Sequence, residues 1–153
     1  AAIRKISKKH NFTLICRDLS ELSTYAKVSN NVFRLLKNNT PGAYTFILPA
    51  TKEVPRRLMN EKKRTIGIRV PAGAIIEALL NECSEPLLSC SLILPDHEEP
   101  ENDPITINDE IGSIVDVIVD GGVLDAMPTT VIRFEDDMPV VRRVGRGDPT
   151  PFS

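Results

Sequence analysis

Three stretches of this sequence finish an apolar run on groups that can hold an anion. In TIGIRVP (65–71) the run ends on Arg69, just ahead of Val70 and Pro71. A guanidinium placed there lies over a sheet edge, where its fork of donors can grip a carboxylate or phosphate through two parallel hydrogen bonds. In LLSCSLIL (87–94), Ser89, Cys90 and Ser91 interrupt an otherwise apolar segment, so any buried hydroxyl there needs a backbone or ligand partner. In PVVRRVGRGD (139–148), Arg143 precedes Gly145 and Gly147, whose missing side chains let backbone approach an anion closely. Taken singly, each is also what an ordinary structural residue looks like. Their shared position at strand ends is where open α/β sheets form ligand crevices.

Other chemistries find less support. The sequence has no Walker-type phosphate loop, no G-x-G-x-x-G fingerprint and no G-x-S-x-G elbow, and its two histidines, His10 and His97, are isolated. His10 reads as a polar cap beside a strand, because no acidic residue is visible to orient it as a base. The acidic residues Asp96, Glu98, Glu99, Glu101 and Asp103 read as a solvated loop, since magnesium is usually held by one or two carboxylates plus phosphate oxygens. Cys16, Cys83 and Cys90 are odd in number and far apart, which argues against disulfides and a zinc site and favours buried small apolar residues. Basic residues cluster twice, at Arg4, Lys5, Lys8 and Lys9 and between Lys52 and Arg69. For Lys62, Lys63 and Arg64 the favoured reading is a solvated face.

The elements that must position these groups follow from periodicity. NFTLIC (11–16) reads as a buried strand, and Asp18 with Glu21 forms a capping-box-like start to a helix over 19–26. Ser29 caps a second helix with an apolar face of Val32, Phe33, Leu35 and Leu36, ended by Pro41-Gly42. AYTFIL (43–48), TIGIRV (65–70) and LLSCSLIL (87–94) read as strands, VPRRLMNEKKR (54–64) as a short polar helix or turn, and 74–80 as a buried helix. Thr106 and Asp109 are candidate caps of a short helix. SIVDVIV (113–119) alternates like a strand, and TTVIRF (129–134) with PVVRRV (139–144) reads as a hairpin across EDDM. Alternating helices and strands predict an α/β domain with a twisted, open, mixed sheet and flanking helices.

A chain of 153 residues with 41% hydrophobic residues suits one domain with one core. A formal net charge of −2 argues against a strongly cationic nucleic-acid binder as a whole, so any such role must come from local patches. No apolar run approaches the roughly 20 residues that span a bilayer, and AAIRKISKKH lacks a signal-peptide core, so a cytosolic location without membrane association is expected.

The order and spacing of HNFTLICRDLSELSTYA, NNTPGAYTFIL, TKEVPRRL, TIGIRVP, PLLSCSL, GG followed by PTTVI, and VVRRVGRGD resemble the YciO branch of the YrdC-like family, from Arg4 to Phe152. The resemblance implies a twisted mixed sheet with a concave, positively lined cavity. It also implies condensation of L-threonine, bicarbonate and ATP, the last with Mg2+, into threonylcarbamoyl-adenylate for tRNA threonylcarbamoyladenosine, and a link to RNA binding.

Residue by residue, the family's K-x-R signature falls on Ala2-Ile3-Arg4, keeping only Arg4 for phosphate or carboxylate. Arg69 matches an anion contact, and Ser89-Cys90-Ser91 matches the start of S-T-S-A-N, a nucleotide contact. Leu92 and Ile93 stand in place of its Ala-Asn, a loss of amide donors worth about 0.5–1.5 kcal/mol each. Thr130 falls where members place a hydroxyl near substrate, and Arg143 matches the arginine of a C-terminal R-x-G element. Nothing matches the family's opening strand and Y-P-T-D-T-x-Y-G-L loop, so the expectation is a single YrdC-like domain over 1–153 that is incomplete at its N-terminus. An alternative is a non-catalytic module of the same fold binding tRNA or double-stranded RNA through shape and backbone, because aromatics are 5% of residues and tryptophan is absent.

Overall fold

The computed structural model describes residues 12–153, which fall into two compact units. One comprises residues 12–90 with Thr129–Ser153, and the other contains Ser91–Pro128. Arg4 and His10 lie outside the described residues.

The first unit is built on six strands: β1 (Thr13–Ile15), β2 (Tyr44–Pro49), β3 (Thr65–Arg69), β4 (Leu87–Ser89), β5 (Thr130–Glu135) and β6 (Met138–Arg143). They form one sheet in the order β4-β1-β3-β2-β5-β6. β1 pairs parallel with β3 and β2 parallel with β5, while the other neighbours are antiparallel. The sheet is therefore open and mixed, as the sequence pattern predicts.

Period-two alternation gives it two faces. Leu14, Phe46, Leu48, Ile66, Ile68, Ile132 and Phe134 point to one side and are buried. There they meet Leu22 and Ala26 from the first helical segment and Val32 and Leu36 from the second. Tyr44, Phe46 and Phe152 form an aromatic cluster, with centroids 5.2 Å apart for the edge-on Tyr44–Phe152 pair and 5.6 Å for the stacked Tyr44–Phe46 pair.

The helices that cover this face start where local chemistry dictates. In α1 (Leu19–Tyr25), the Asp18 carboxylate accepts from the Glu21 amide at 2.9 Å. Glu21 Oε1 accepts from the Arg17 amide, also at 2.9 Å, so reciprocal capping occurs one residue outside the usual box. In α2 (Asn30–Asn39), the Ser29 hydroxyl accepts from the Val32 amide. The β5–β6 hairpin turns on Asp136 and Asp137, both left-handed at φ 50° and 63°, the backbone that a two-residue turn requires and aspartate tolerates.

Three expectations need correction. The helix α3 (Ala74–Glu82) forms, yet it buries only Leu80, with Ile75 50% and Leu79 38% exposed. The strand LLSCSLIL shortens to β4, three residues paired to β1. SIVDVIV forms no strand, and Ile114, Val117 and Val119 are exposed. Alternation describes what a strand would bury, but a strand exists only where a neighbour takes up its backbone hydrogen bonds.

In the second unit, α4 (Pro104–Ile111) is capped by Asp103, whose carboxylate accepts from the Ile105 amide, in place of the Thr106 or Asp109 caps expected. Asn102 clips Leu124 in both directions, its side-chain amide donating to Leu124 O and its carbonyl accepting from Leu124 N. No helix among the described residues is long and apolar enough to cross a membrane.

Phe46 is fully buried at the centre of the aromatic cluster. Phe46→Ala is expected to lower unfolding free energy by about 3–5 kcal/mol, whereas Ile75→Ala on exposed α3 should change it by less than about 0.5 kcal/mol. Urea titration of both variants checks the two-faced assignment.

Candidate functional site

The face of the sheet opposite the aromatic core carries the polar chemistry. In β3, Ile66 and Ile68 go into the core, which leaves Gly67 and Arg69 on the other side. Thr13 of β1 and Thr45 of β2 flank Gly67. A Cβ built on that glycine would lie 3.5 Å from Thr13 Oγ1 and 3.6 Å from the Thr45 methyl, so these side chains share the face. Ile15 sits beside Arg69 across β1, and continuing the β2–β3 register one step past Phe46–Ile68 puts Thr45 across from it.

Arg69 is half-buried and its Nε is completely enclosed without a hydrogen-bond partner, the one such buried side-chain atom among the described residues. No acidic group lies within ion-pair distance of it among the described residues. Burial lowers its pKa from the ordinary arginine value, and the neighbouring Arg146 charge lowers it further. A buried charged donor without a partner is costly, and a second cation nearby adds to that cost. An anion bound at Arg69 would relieve both costs.

Arg146 is exposed on a loop that the core holds in place. Thr130, with no solvent exposure, faces the core from β5. Its hydroxyl donates to Gly147 O at 2.5 Å and accepts from the Gly145 amide at 2.8 Å. The Tyr44 hydroxyl donates to Asp148 O at 2.8 Å. Gly147 lies flat against this tyrosine, where a Cβ would come within 2.6 Å of the ring and 2.7 Å of Ala43 O, so only glycine fits. The hydroxyl of Thr130, expected near substrate, is thus spent on fastening the 145–147 loop.

Its neighbour Thr129 serves the open side instead. Thr129 Oγ1 and Thr45 Oγ1 are 2.7 Å apart and hydrogen-bonded. Arg143 pairs with Val131 in the β5–β6 ladder beside a bulge, and its Nε and Nη2 donate to Thr129 O at 3.1 and 2.9 Å. These bonds fix the guanidinium plane and leave Nη1 without a protein partner among the described residues. Arg69 and Arg143 stand three strand spacings apart, roughly 14 Å at the backbone, with Thr45 and Thr129 between them.

The remaining predicted residues are placed as follows. Ser89 Oγ donates to Thr13 O at 3.0 Å, so the hydroxyl of this partly buried strand residue is satisfied by backbone. Ser91 is exposed and belongs to the 91–128 unit. Among the cysteines, Cys16 is buried as expected, but Cys83 is half-buried and Cys90 exposed, because β4 lies at the sheet edge. Among the described residues no cluster of three or more histidine, cysteine, aspartate or glutamate side chains is arranged to hold a metal. Sequence reading missed Arg146, Thr45 and Thr129. The two threonines alternate out of apolar strand runs and were legible as polar-face positions; the nearness of Arg146 to Arg69 was not.

The family model "Sua5_yciO_yrdC: Telomere recombination" matches residues 1–145. The chain belongs to this family. The "Uncharacterized protein YciO" of Escherichia coli (strain K12) is 59% identical over 150 residues, covering 98% of this chain and 73% of that protein. Its crystal structure superposes with a TM-score of 0.91 at 58% identity, over 99% of this chain and 74% of that one. The "Putative threonylcarbamoyl-AMP synthase" of Methanocaldococcus jannaschii is 30% identical over 151 residues, 94% of this chain and 70% of that protein. P. abyssi Sua5 complexed with L-threonine shares the fold, with a TM-score of 0.80 at 23% identity over 91% of this chain and 41% of that one.

Removing the hydroxyl of Thr130 leaves the Gly145 amide and Gly147 carbonyl unpaired. Thr130→Val should therefore cost about 1–3 kcal/mol in a urea titration and raise amide exchange at Gly145. An unchanged exchange rate would refute the clamp.

Burial, then Glu21, then Asp18, push the Cys16 thiol from 9.0 up to about 12. Its neutral form is the one the fold holds, so this stabilisation is complete below pH 9 and is lost as pH rises from 9 towards 12. Tyr25 and Tyr44, whose pKa values burial also raises, act in the same direction. Urea midpoints measured from pH 8 to 11 should fall, and fall less steeply in Cys16→Ala.

Proposed function

We propose that the open face around Arg69 binds the nucleotide and amino-acid substrates of a threonylcarbamoyl-adenylate-synthase-like reaction. The observation that carries this reading is the half-buried Arg69, its Nε enclosed without a partner and its charge opposed by that of Arg146, on the polar face of a family member. Support for the substrate class comes from the relatives, one named a putative threonylcarbamoyl-AMP synthase and another solved with L-threonine.

The chemistry asks for anion binding more than for a protein nucleophile. The amine of L-threonine bonds to the carbon of bicarbonate, which loses water to give a carbamate; the carbamate oxygen then bonds to the α-phosphorus of ATP while the bond from that phosphorus to the α–β bridging oxygen breaks and pyrophosphate leaves. Negative charge accumulates on the phosphoryl oxygens, and fixed guanidiniums in a partly dehydrated site stabilise it without reorganising. In this reading Arg69 and Arg143 hold carboxylate and phosphate groups. For Arg4, outside the described residues, and for Ser89 and Ser91, the anion and nucleotide roles rest on the resemblance alone. Thr130 acts through the 145–147 loop, and Mg2+ arrives with the triphosphate.

In an assay of pyrophosphate release from ATP, wild-type turnover should require both L-threonine and bicarbonate. Arg69→Ala should lower kcat/KM by about 10- to 100-fold, the range for losing one charge-assisted hydrogen bond. Arg69→Met, by removing an unsatisfied buried charge, should raise the melting temperature of the ligand-free protein. Turnover indifferent to L-threonine would end the reading, as would an Arg69→Met variant that is both less stable and fully active.

A further inference from the structure

The stretch that follows α4 keeps its apolar side chains in the open. Ile114, Val117, Val119, Val123 and Leu124 are 57–75% exposed within eleven residues. Ordinary surfaces scatter such side chains singly, and a contiguous run of them marks an interaction surface. Local bonds hold this run in shape although it forms no strand. The Asp120 carboxylate accepts from the Gly122 amide and that of Asp125 from the Met127 amide, both at 2.8 Å, while Leu124 is clipped to Asn102 through its amide and its carbonyl. A surface fixed beforehand loses less freedom when a partner covers it.

Charge says what chemistry covers it. Residues 91–128 hold ten aspartates and glutamates and no lysine or arginine, so all 19 basic residues of the chain and only 11 of its 21 acidic ones lie elsewhere. Asp116, Asp120 and Asp125 stand exposed among the apolar side chains and form no ion pair among the described residues. Covering the apolar run also strips water from these carboxylates, so the partner must bring cations beside its apolar contact. The β2–β3 turn of this same chain offers both. Arg56, Arg57 and Arg64, with Met59 and Glu61, line a concavity of about 360 Å³. The three arginines are exposed, Met59 is half-buried, and none of the cations within 52–64 is ion-paired among the described residues. This turn is fixed as well, because Asn60 Oδ1 accepts from the Lys62 and Lys63 amides at 3.1 and 3.0 Å.

From this complementarity we infer that residues 114–125 of one copy dock on the 52–64 turn of a second copy, and reciprocally, to close a twofold dimer. Each chain presents both halves of the contact, so a twofold pair forms it twice and leaves neither half open. The exposed aliphatic side chains cover the Met59 wall of the concavity, while the Asp116 and Asp120 carboxylates meet the arginines at its rim. Guanidiniums suit that role because their forked donors match a carboxylate and shed water more readily than an ammonium. The inference uses neither Arg69 nor the proposed reaction.

The test is sedimentation velocity of the full chain at about 50 mM and about 500 mM salt. Wild type should sediment as a dimer at the lower salt, and its dissociation constant should rise about tenfold or more at the higher, where the charge pairs are screened. Asp116→Lys/Asp120→Lys and Arg56→Glu/Arg57→Glu should each be monomeric, because each sets like charges against one another at both contacts. An equimolar mixture of the two variants should dimerise again, since every contact then joins opposite charges, a recovery that misfolded chains would not give. Circular dichroism melts of both variants should match wild type, and Arg69→Ala should leave the dissociation constant unchanged. The inference is overturned if wild type stays monomeric at the lower salt, if either double variant dimerises as wild type does, or if the mixture fails to associate. A mass that keeps growing with concentration would show an open head-to-tail chain and overturn the closed pair.

Discussion

Arg69 is fixed at the end of β3 by strand pairing on both sides, and its Nε is enclosed without a partner. A charged group in that position raises the free energy of the ligand-free fold, and the surrounding structure must overcome it. The opposite face does so through burial: Phe46, Ile68 and Ile132, at neighbouring positions in the register, have no solvent exposure. The same three central strands therefore supply the stabilising core and the unsatisfied cation. Alternation puts the two on opposite sides of one backbone.

The loop carrying Arg146 links the faces. Thr130 points into the core, yet its hydroxyl holds Gly145 and Gly147, and Tyr44 holds Asp148 from the same side. One residue earlier, Thr129 joins Thr45 and Arg143 on the open side. Two adjacent threonines thus brace the cationic surface from beneath and from beside it. Such bracing fixes the backbone from which the Arg146 side chain projects and the plane of the Arg143 guanidinium, a contribution to preorganised anion binding.

Much of the fold was legible because its signals are local. Asp18 and Ser29 cap α1 and α2, and their carboxylate and hydroxyl reach amides three residues on. Asp136 and Asp137 turn the hairpin where two polar residues separate alternating runs. Where the signal depends on a neighbour, reading failed: SIVDVIV alternates but pairs with nothing among the described residues, and α3 has an apolar face that remains partly exposed. The buried or exposed state of Cys16 and Cys90 likewise follows from a central or an edge environment, which the sequence around each does not encode.

By itself, the sequence determined most helices and strands to within a few residues, LLSCSLIL and SIVDVIV excepted, together with the open mixed sheet, the family resemblance and the nomination of Arg69 and Arg143. All of these rest on residue type, spacing and period. The tertiary structure decided that Thr129 and not Thr130 faces the open side, and that the charge of Arg146 acts on Arg69. Those are relations between residues brought together by strand register, loop closure and positive-φ turns, and no local stretch of sequence carries them.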